Sequence, residues 1–398
     1  MAKGIPMSEY QYYEFAAVDR PLTPQQQAEL RSRSTRATIT ASSFINEYHW
    51  GDLKGDPLDW MRRYFDAHVY YANWGSCRLL LRLPRASLEK AVLDAFVLSA
   101  ERGSAFSASA TDEHWILDWS DWDEEGSGEY ERFWDEESPR WMARLLPLRD
   151  ELLRGDTRPL YLGWLARLCG GELDDAAMEP PLPAGLRTLS GAQQALVEYL
   201  LIDPDWLEAA AEASEPLSAS DETAPAIDAW LDAQTPETLR ATLRLLLEGH
   251  GAQAEREVRR RFLDWQRERQ PAVAAPARRR VADIAALRQV AAQRRQELER
   301  QEREAEEARR AAERRQHLAQ LAEQADAVWA GIDRTLQRGT GAAYDQALQS
   351  LRALAEALAQ AGREREFRSG LARLQQSHGR RGAWVRRLVA AGLQEKES

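Results

Sequence analysis

The segment AHVYYANWGSCRLLLRL, residues 67–83, decides the fold of the N-terminal part of the chain. After residue 76 its apolar side chains occupy every second position and arginines lie between them: Cys77, Leu79, Leu81 and Leu83 alternate with Arg78 and Arg82. A period of two is typical of a strand with one buried face and one solvated face. Asn73, Trp74 and Gly75 supply turn residues before it. The segment therefore predicts an antiparallel hairpin with its leucines in a core.

Further strand patterns surround this hairpin. Residues 10–18 are aromatic and extended, and residues 36–41 alternate small apolar side chains with Arg and Thr. Residues 114–119 carry aromatic and aliphatic side chains that suit another strand. Strands mixed with helical patterns predict an α+β domain at residues 1–135.

Four dipeptides mark the starts of helices: Thr23-Pro24, Asp56-Pro57, Asp203-Pro204 and Thr235-Pro236. The capping oxygen accepts a hydrogen bond from the first turn, and proline at the first helical position has no N–H to leave unpaired. We expect helices over 24–33, 57–67, 204–213 and 236–249. Since no convincing strand pattern follows residue 140, residues 136–270 predict a helical domain.

The C-terminal part reads as helical throughout. PAVAAPA at 271–277 predicts a stiff linker, 278–329 a long charged helix without Gly or Pro, and 330–398 a helical bundle. The expected fold is thus an α+β N-terminal domain followed by a mainly α-helical part with one long charged helix and a C-terminal helical bundle. A weak heptad seam over 284–322 favours either a homodimeric coiled coil or a single exposed helix with Glu–Arg pairs.

The chain has an acidic N-terminal part and a basic C-terminal part. Residues 1–250 carry 23 Lys and Arg against 43 Asp and Glu, whereas residues 251–398 carry 30 against 21. No apolar run approaches the roughly 18 residues of a membrane span, and the first residues lack the apolar core of a secretory signal. Two cysteines in 398 residues suit a reducing compartment and build no Cys-rich zinc site. We therefore expect a cytoplasmic protein without a metal or another cofactor.

An acidic, aromatic segment at 112–137 is the first candidate site. It holds twelve Asp and Glu against one basic residue, Arg132. Trp119, Trp122 and Trp134 could anchor a basic protein partner while the carboxylates steer the encounter. Alternatively, residues 114–119 form a strand whose aromatic side chains lie in the core, and a solvated acidic loop follows. Four positions match a calcium loop, but Arg132 stands where that loop needs a bidentate Glu.

Residues 49–56 are the second candidate, since His49, Asp52, Lys54 and Asp56 cluster in a glycine-bearing loop. These residue types suit acid–base chemistry. No paired carboxylate, nucleophile motif or phosphate loop accompanies them. The segment predicts either an enzyme site of unknown class or a structural turn that contains the cap Asp56.

The last helix is the third candidate, because four arginines flank an apolar stripe of Trp384, Leu388 and Ala391: Arg380, Arg381, Arg386 and Arg387. Arginines without acidic sequence neighbours could neutralise nucleic-acid phosphates. A plain solvated surface is the alternative. We expect the stripe to pack inward and all four arginines to lie in water.

Several blocks resemble a family of uncharacterised bacterial proteins: DRPLT at 19–23, STRATIT at 34–40, WGDLKGDP at 50–57, YFDA at 64–67, YANWG at 71–75, LRLP at 81–84 and LLRGDTRPLYLGWL at 152–165. That resemblance implies no activity. The tail from Tyr344 onward is similar to the helical tails of bacterial SWIM zinc-finger proteins, without their zinc motif. The sequence favours a non-enzymatic adaptor or regulatory subunit that binds a protein partner. The alternatives are nucleic-acid binding through the C-terminal arginines and an enzyme with a site at residues 49–56.

Overall fold

The computed structural model divides the chain into two compact units, Met1–Arg294 and Arg295–Ser398. It describes residues 9–97, 103–122, 140–217, 224–249 and 278–393, with scattered positions between 251 and 265. The expected fold class is confirmed, with strands followed by a mainly helical remainder that contains one long helix. None of the described helices combines the length and the apolar character that a membrane crossing requires.

The first unit contains a seven-stranded antiparallel sheet in the order β2-β3-β1-β4-β5-β7-β6. Its strands are β1 Gln11–Ala16, β2 Thr38–Ile39, β3 Ser43–Tyr48, β4 Ala67–Ala72, β5 Cys77–Pro84, β6 Phe106–Ala110 and β7 His114–Asp121. The predicted hairpin is confirmed as β4 and β5, with Val69 opposite Leu79. The alternation at residues 36–41 gives only the two-residue strand β2, and β3 was not predicted.

The helices of the first unit are α1 Pro24–Arg33, α2 Pro57–Arg63, α3 Lys90–Val97, α4 Trp141–Leu145, α5 Pro147–Leu153, α6 Arg158–Cys169, α7 Gly191–Tyr199, α8 Pro204–Ala211, α9 Ala224–Asp232 and α10 Pro236–Leu247. All four predicted caps form. The Thr23 hydroxyl, for example, accepts from the Gln26 N–H, and the Asp56 carboxylate accepts from the Leu58 N–H. Local chemistry therefore fixed these starts, while α2 ends at Arg63 and not at residue 67.

The prediction that the β5 strand is half-buried was wrong. Leu79, Leu81 and Leu83 face one core as expected, but Leu80 is fully buried in a second core on the opposite face. Arg82 is also buried there, beside Asp66. The sheet is covered on both faces because α1 and α2 pack on one side and helices α3–α8 pack on the other.

The predicted boundaries near 135 and 271–277 are not those of the structure. Helices α4–α8 share one continuous core with the leucine face of the sheet, so the helical domain is not separate. Beyond the proposed linker, which lies outside the described residues, Val281 and Ile284 enter the same core. Arg279 pairs with the buried carboxylate of Glu179 at 2.7 Å. These residues therefore belong to the first unit, and the boundary between the two units falls between residues 294 and 295.

The long helix, α11, runs from Val281 to Glu323 and is followed by α12 Ala325–Gln337, α13 Gly341–Gln360, α14 Glu364–His378 and α15 Gly382–Ala390. Residues 293–317 of α11 are all exposed. Glu and Arg one turn apart pair along this stretch, for example Arg300 with Glu304 at 2.8 Å. The bundle packs around Leu351, Trp384 and Leu388, each of which is fully buried.

Candidate interaction site at the aromatic end of the sheet

The two ends of the sheet in the first unit differ in their side chains. We call one the aromatic end, where the strand residues Gln11, Tyr48, Ala72, Cys77 and Asp121 lie. We call the other the closed end, where Ala16 is opposite Ala67 and where Asp66, Arg82 and Arg149 lie. The segment 49–56 follows β3, and Trp122 follows β7, so both reach the aromatic end.

Hydrogen bonds attach the 49–56 segment to the sheet. The Tyr13 hydroxyl donates to the Asp52 carboxylate at 2.6 Å and lies 3.0 Å from the amide oxygen of Gln11. Gln11 in turn donates to the Gly51 carbonyl, and the Tyr70 hydroxyl donates to the Gln11 amide oxygen at 3.2 Å. Tyr13 and Tyr70 are direct neighbours across β1 and β4. Tyr13, Tyr70 and Gln11 therefore form a polar patch that holds the loop in place.

Burial sets the chemistry of this patch. Burial and the bond to Asp52 raise the pKa of Tyr13, and burial together with the Asp52 charge raises the pKa of Tyr70. Both phenols therefore stay protonated at neutral pH and act as hydrogen-bond donors. They supply neither a base nor an activated nucleophile, so the arrangement suits binding.

An ion pair lies next to Tyr70 on the same face of the sheet. Arg78 is opposite Tyr70 and donates to both carboxylate oxygens of Asp118, at 3.0 and 2.7 Å. Burial by itself lowers the pKa of the Arg78 guanidinium, but the bonds to Asp118 outweigh it and raise that pKa. The pair remains charged and fixed, and it gives the face a rigid polar floor.

Exposed tryptophans distinguish this end. Trp50 is 79% exposed and Trp122 is 47% exposed. The Trp122 ring lies 6.0 Å from the ring of Tyr70, and the residue next to Trp50 accepts the Gln11 hydrogen bond. Burying an exposed aromatic side chain under a partner contributes substantially to binding. The end thus presents two aromatic anchors beside a built polar patch.

The structure brings together two segments that the sequence treated separately, but it corrects the residues. Trp119 is fully buried in the core, with its indole N–H donating to the Pro159 carbonyl. It cannot anchor a partner, and residues 114–119 form a strand, as the alternative interpretation held. Trp134 lies outside the described residues, and of the two predicted tryptophans that the structure describes Trp122 is the exposed one.

The 49–56 loop does not assemble an acid–base site. The His49 ring lies against Tyr10, 5.4 Å between centroids. Tyr10 and Tyr13 point to opposite faces of the strand, because side chains alternate along it. Asp52 is occupied by Tyr13, and Asp56 caps α2. The histidine and the two carboxylates of this loop therefore serve different contacts.

Two of the four arginines at the last helix have partners within the fold, so the expectation that all four lie in water was wrong. Arg387 pairs with Asp345 at 2.6 Å, and Arg381 donates to the Leu336 carbonyl. Arg380 and Arg386 are exposed. Trp384 and Leu388 pack inward as expected, with Ala391 half-buried. Tertiary neighbours supply acceptors that are distant in sequence.

The closed end explains several of the quoted sequence blocks. Asp66 accepts from the Val18 and Asp19 N–H groups and pairs with Arg82 at 2.7 Å. Arg149 bridges the Asp19 carboxylate and the Arg82 carbonyl. The DRPLT, YFDA and LRLP blocks thus meet in one buried network with a structural role.

Sequence reasoning missed Tyr13, Tyr70 and the Arg78–Asp118 pair as members of the site. The tyrosines at residues 10–13 and 70–71 were a signal, because the hydroxyl of a buried tyrosine needs a hydrogen-bond partner. Trp50, in the WGDLKGDP block, was visible but had no assigned role. No protein-family model, curated protein or solved structure matches this chain.

Proposed function

We propose that this protein is a non-enzymatic adaptor that binds a basic segment of a protein partner at the aromatic end of its sheet. The single observation that carries the proposal is the pair of exposed tryptophans, Trp50 and Trp122, beside the fixed patch of Tyr13 and Tyr70. Indole faces attract Lys and Arg side chains through cation–π contacts. Partner side chains that cover these tryptophans remove apolar surface from water.

The charge around the site selects the partner. Asp52 and Asp56 are exposed carboxylates on the loop. The sequence that follows Trp122 adds eight Asp and Glu against one Arg over residues 123–137. Negative potential of this kind accelerates the encounter with a cationic segment and makes the association depend on salt. A Lys- and Arg-rich peptide is therefore the expected ligand, and an acidic peptide is not.

We also propose a cytoplasmic location. Neither Cys77 nor Cys169 is part of a disulfide, and the buried Cys77 thiol donates to the Tyr199 carbonyl. Burial raises the pKa of the Cys169 thiol to about 11, which leaves it a poor nucleophile at neutral pH. Two cysteines that form no disulfide suit a reducing compartment.

Fluorescence anisotropy of a labelled peptide of alternating Lys and Arg, titrated with the full chain at low and at physiological salt, tests the function. We expect saturable binding that weakens as salt rises and that falls at least roughly tenfold in the Trp50→Ala/Trp122→Ala variant. Leu247→Ala is the matched control, because Leu247 is an exposed apolar residue on α10. It should leave the affinity unchanged.

Equal affinity for wild type and the double tryptophan variant would contradict the site, and no binding at low salt would contradict the basic-partner function itself. A labelled DNA duplex in the same assay examines the nucleic-acid alternative. Salt-sensitive duplex binding that Arg380→Ala/Arg386→Ala abolishes would favour that alternative.

A further inference from the structure

A cleft lies between α1 and α2, the two helices that cover one face of the sheet. Its volume is about 230 Å³, which corresponds to roughly eight water molecules and is smaller than a pocket for a drug-sized ligand. A molecule of a few heavy atoms therefore fits it. The cleft includes Gly55 and Asp56 from the 49–56 loop, but neither Trp50 nor Trp122 lines it.

The indole N–H of Trp60 is a hydrogen-bond donor on the wall of this cleft. Trp60 is 4% exposed, and its ring packs against Phe15 and Phe44. No described residue accepts a hydrogen bond from its Nε1, which opens on the cleft, whereas the unbonded indole nitrogens of Trp329 and Trp384 are sealed from solvent. Because an unsatisfied donor in a buried ring is costly, a ligand atom that accepts this bond is favoured.

Gly55 leaves open the space beside this donor. A Cβ on Gly55 would lie 2.6 Å from Trp60 Nε1 and 2.9 Å from the neighbouring ring carbon, Cε2. Real Cβ atoms do not approach so closely, so a larger residue at position 55 would displace the indole or cover its N–H. The backbone of Gly55 is not in the left-handed region, so its conformation does not require glycine. The close approach of the indole does require it.

The two sides of the cleft carry opposite charges. The α1 side contributes Arg33, an exposed guanidinium with which no described carboxylate pairs. The α2 side contributes Asp56 and Asp59. Asp56 uses one carboxylate oxygen to cap α2, and Asp59 lies 3.6 Å from Arg63 through one oxygen. Each of these carboxylates keeps its other oxygen for a cation.

Glu29, Arg63 and Tyr64 form a fixed part of the wall. The Tyr64 hydroxyl donates to the Glu29 carboxylate at 2.7 Å, and the Arg63 guanidinium lies 3.4 Å from the same oxygen and 4.7 Å from the centre of the Tyr64 ring. The bond from Tyr64 lowers the pKa of Glu29, and burial raises the pKa of Tyr64 to about 12. Glu29 therefore stays ionised and is paired with Arg63, so neither charge is needed for a ligand.

We propose that this cleft binds a small zwitterion of the α-amino acid class. In such a molecule a carboxylate and an ammonium group are attached to the same carbon, so both charges reach the cleft together. The carboxylate accepts from the Trp60 N–H and pairs with Arg33, while the ammonium donates to Asp56 and Asp59. A plain anion would meet the two aspartates, and a plain cation would leave the Trp60 N–H without an acceptor.

Saturation-transfer difference NMR with the full chain and L-alanine as the probe tests this site. We expect a Kd on the order of 0.1–1 mM, because so small a ligand makes few contacts. L-Alaninamide lacks the carboxylate and N-acetyl-L-alanine lacks the ammonium, so each should bind at least roughly tenfold more weakly. No binding of L-alanine at roughly ten times the upper Kd would overturn the proposal.

The two analogues also decide between the alternative ligand classes. L-Alaninamide that binds as tightly as L-alanine would make the cleft a site for cations, such as the amino terminus of a peptide. N-acetyl-L-alanine that binds as tightly would make it a site for anions. Either result would overturn the zwitterion.

Three variants test the assigned contacts. Trp60→Phe keeps a buried ring and removes the N–H, so the affinity for L-alanine should fall roughly tenfold. Arg33→Gln should weaken L-alanine but not L-alaninamide, whereas Asp59→Asn should weaken both. Asp94→Asn, at an exposed carboxylate on α3, is the matched control and should change neither.

Arg33→Gln and Asp59→Asn change side chains that reach solvent, so they test the site even where Trp60→Phe lowers stability. Binding of L-alanine that both variants leave unchanged would place it outside this cleft and overturn the proposal. None of these measurements uses the basic peptide or alters Trp50 and Trp122. Their failure is therefore distinct from failure of the proposed function.

Discussion

The two ends of the same sheet make opposite use of polar side chains. At the closed end Asp66 and Arg82 are both buried and form an ion pair, and Arg149 pairs with Asp19. At the aromatic end Asp52 and Trp50 are exposed, whereas Tyr13, Tyr70 and Gln11 are buried. In the buried network the hydrogen-bonding groups already have partners within the fold, so they are not available to a ligand. The aromatic end, in contrast, has exposed aromatic surface beside a fixed polar patch. The closed end therefore serves stability, and the aromatic end is where we propose that a partner binds.

The closed end should give the largest stability effect. Asp66→Ala leaves the Arg82 guanidinium buried without its counter-ion, and we expect a loss of about 3–5 kcal/mol of unfolding free energy in urea denaturation. Asp94→Ala, which breaks the exposed pair with Lys90, is the matched control and should cost less than about 1 kcal/mol. A loss from Asp66→Ala as small as that of the control would show that the network is not structural.

His68 lies between the two ends and makes the unit sensitive to acid. Its ring is fully buried against Phe15, its Nδ1 lies 3.0 Å from the Glu14 carbonyl, and burial lowers its pKa to about 3. Because the unfolded chain binds this proton near pH 6.5 and the folded chain does not, stability falls as pH drops from 6.5 toward 3. The expected loss between pH 7 and pH 5 is about 2 kcal/mol.

Urea denaturation at these two pH values, for wild type and His68→Leu, isolates this contribution. The variant should lack the loss, whatever its absolute stability. An identical pH dependence in both proteins would mean that His68 is protonated in the folded state.

Tyr13 should give a smaller effect at the aromatic end. Tyr13→Phe removes the hydrogen bond to Asp52, and since Asp52 is exposed and regains water, we expect a loss of about 1 kcal/mol. Limited proteolysis should then cut residues 49–56 faster than in wild type. Tyr48→Phe is the control, because the Tyr48 ring contacts Tyr13 at its edge without a hydrogen bond from its hydroxyl among the described contacts. Equal cleavage rates in both variants would show that the Tyr13 hydroxyl does not hold the 49–56 loop in place.

Trp50 should give the smallest stability effect. Trp50→Ala removes a side chain that is 79% exposed, so the unfolding free energy should change by less than about 0.5 kcal/mol. Trp60→Ala, at a buried position of the same unit, should cost about 3–5 kcal/mol. A large loss from Trp50→Ala would make Trp50 part of the fold and would weaken its role as a binding anchor.

Local chemistry made part of this fold predictable. The Thr-Pro and Asp-Pro dipeptides fixed four helix starts because a cap and its helix are neighbours in sequence. The β4–β5 hairpin was predictable for the same reason. Of the candidate site, the sequence predicted Trp122 and the 49–56 loop. It also predicted Trp119, which is wrong because Trp119 is buried in the core. Whether a tryptophan on a strand is core or surface depends on which helices cover that face, and strand alternation does not contain this information.

What the sequence by itself determined is the fold class, four helix starts, the β4–β5 hairpin, the acidic and basic halves, and the inward side of the last helix through Trp384 and Leu388. What only the tertiary structure decided are contacts between residues far apart in the chain. Three ion pairs are examples: Asp66 with Arg82, Asp345 with Arg387, and Glu179 with Arg279. The same holds for the position of Trp50 and Trp122 at the same end of the sheet. Periodicity reports the environment of each segment separately, whereas pairing and shared cores arise only when several segments are packed together.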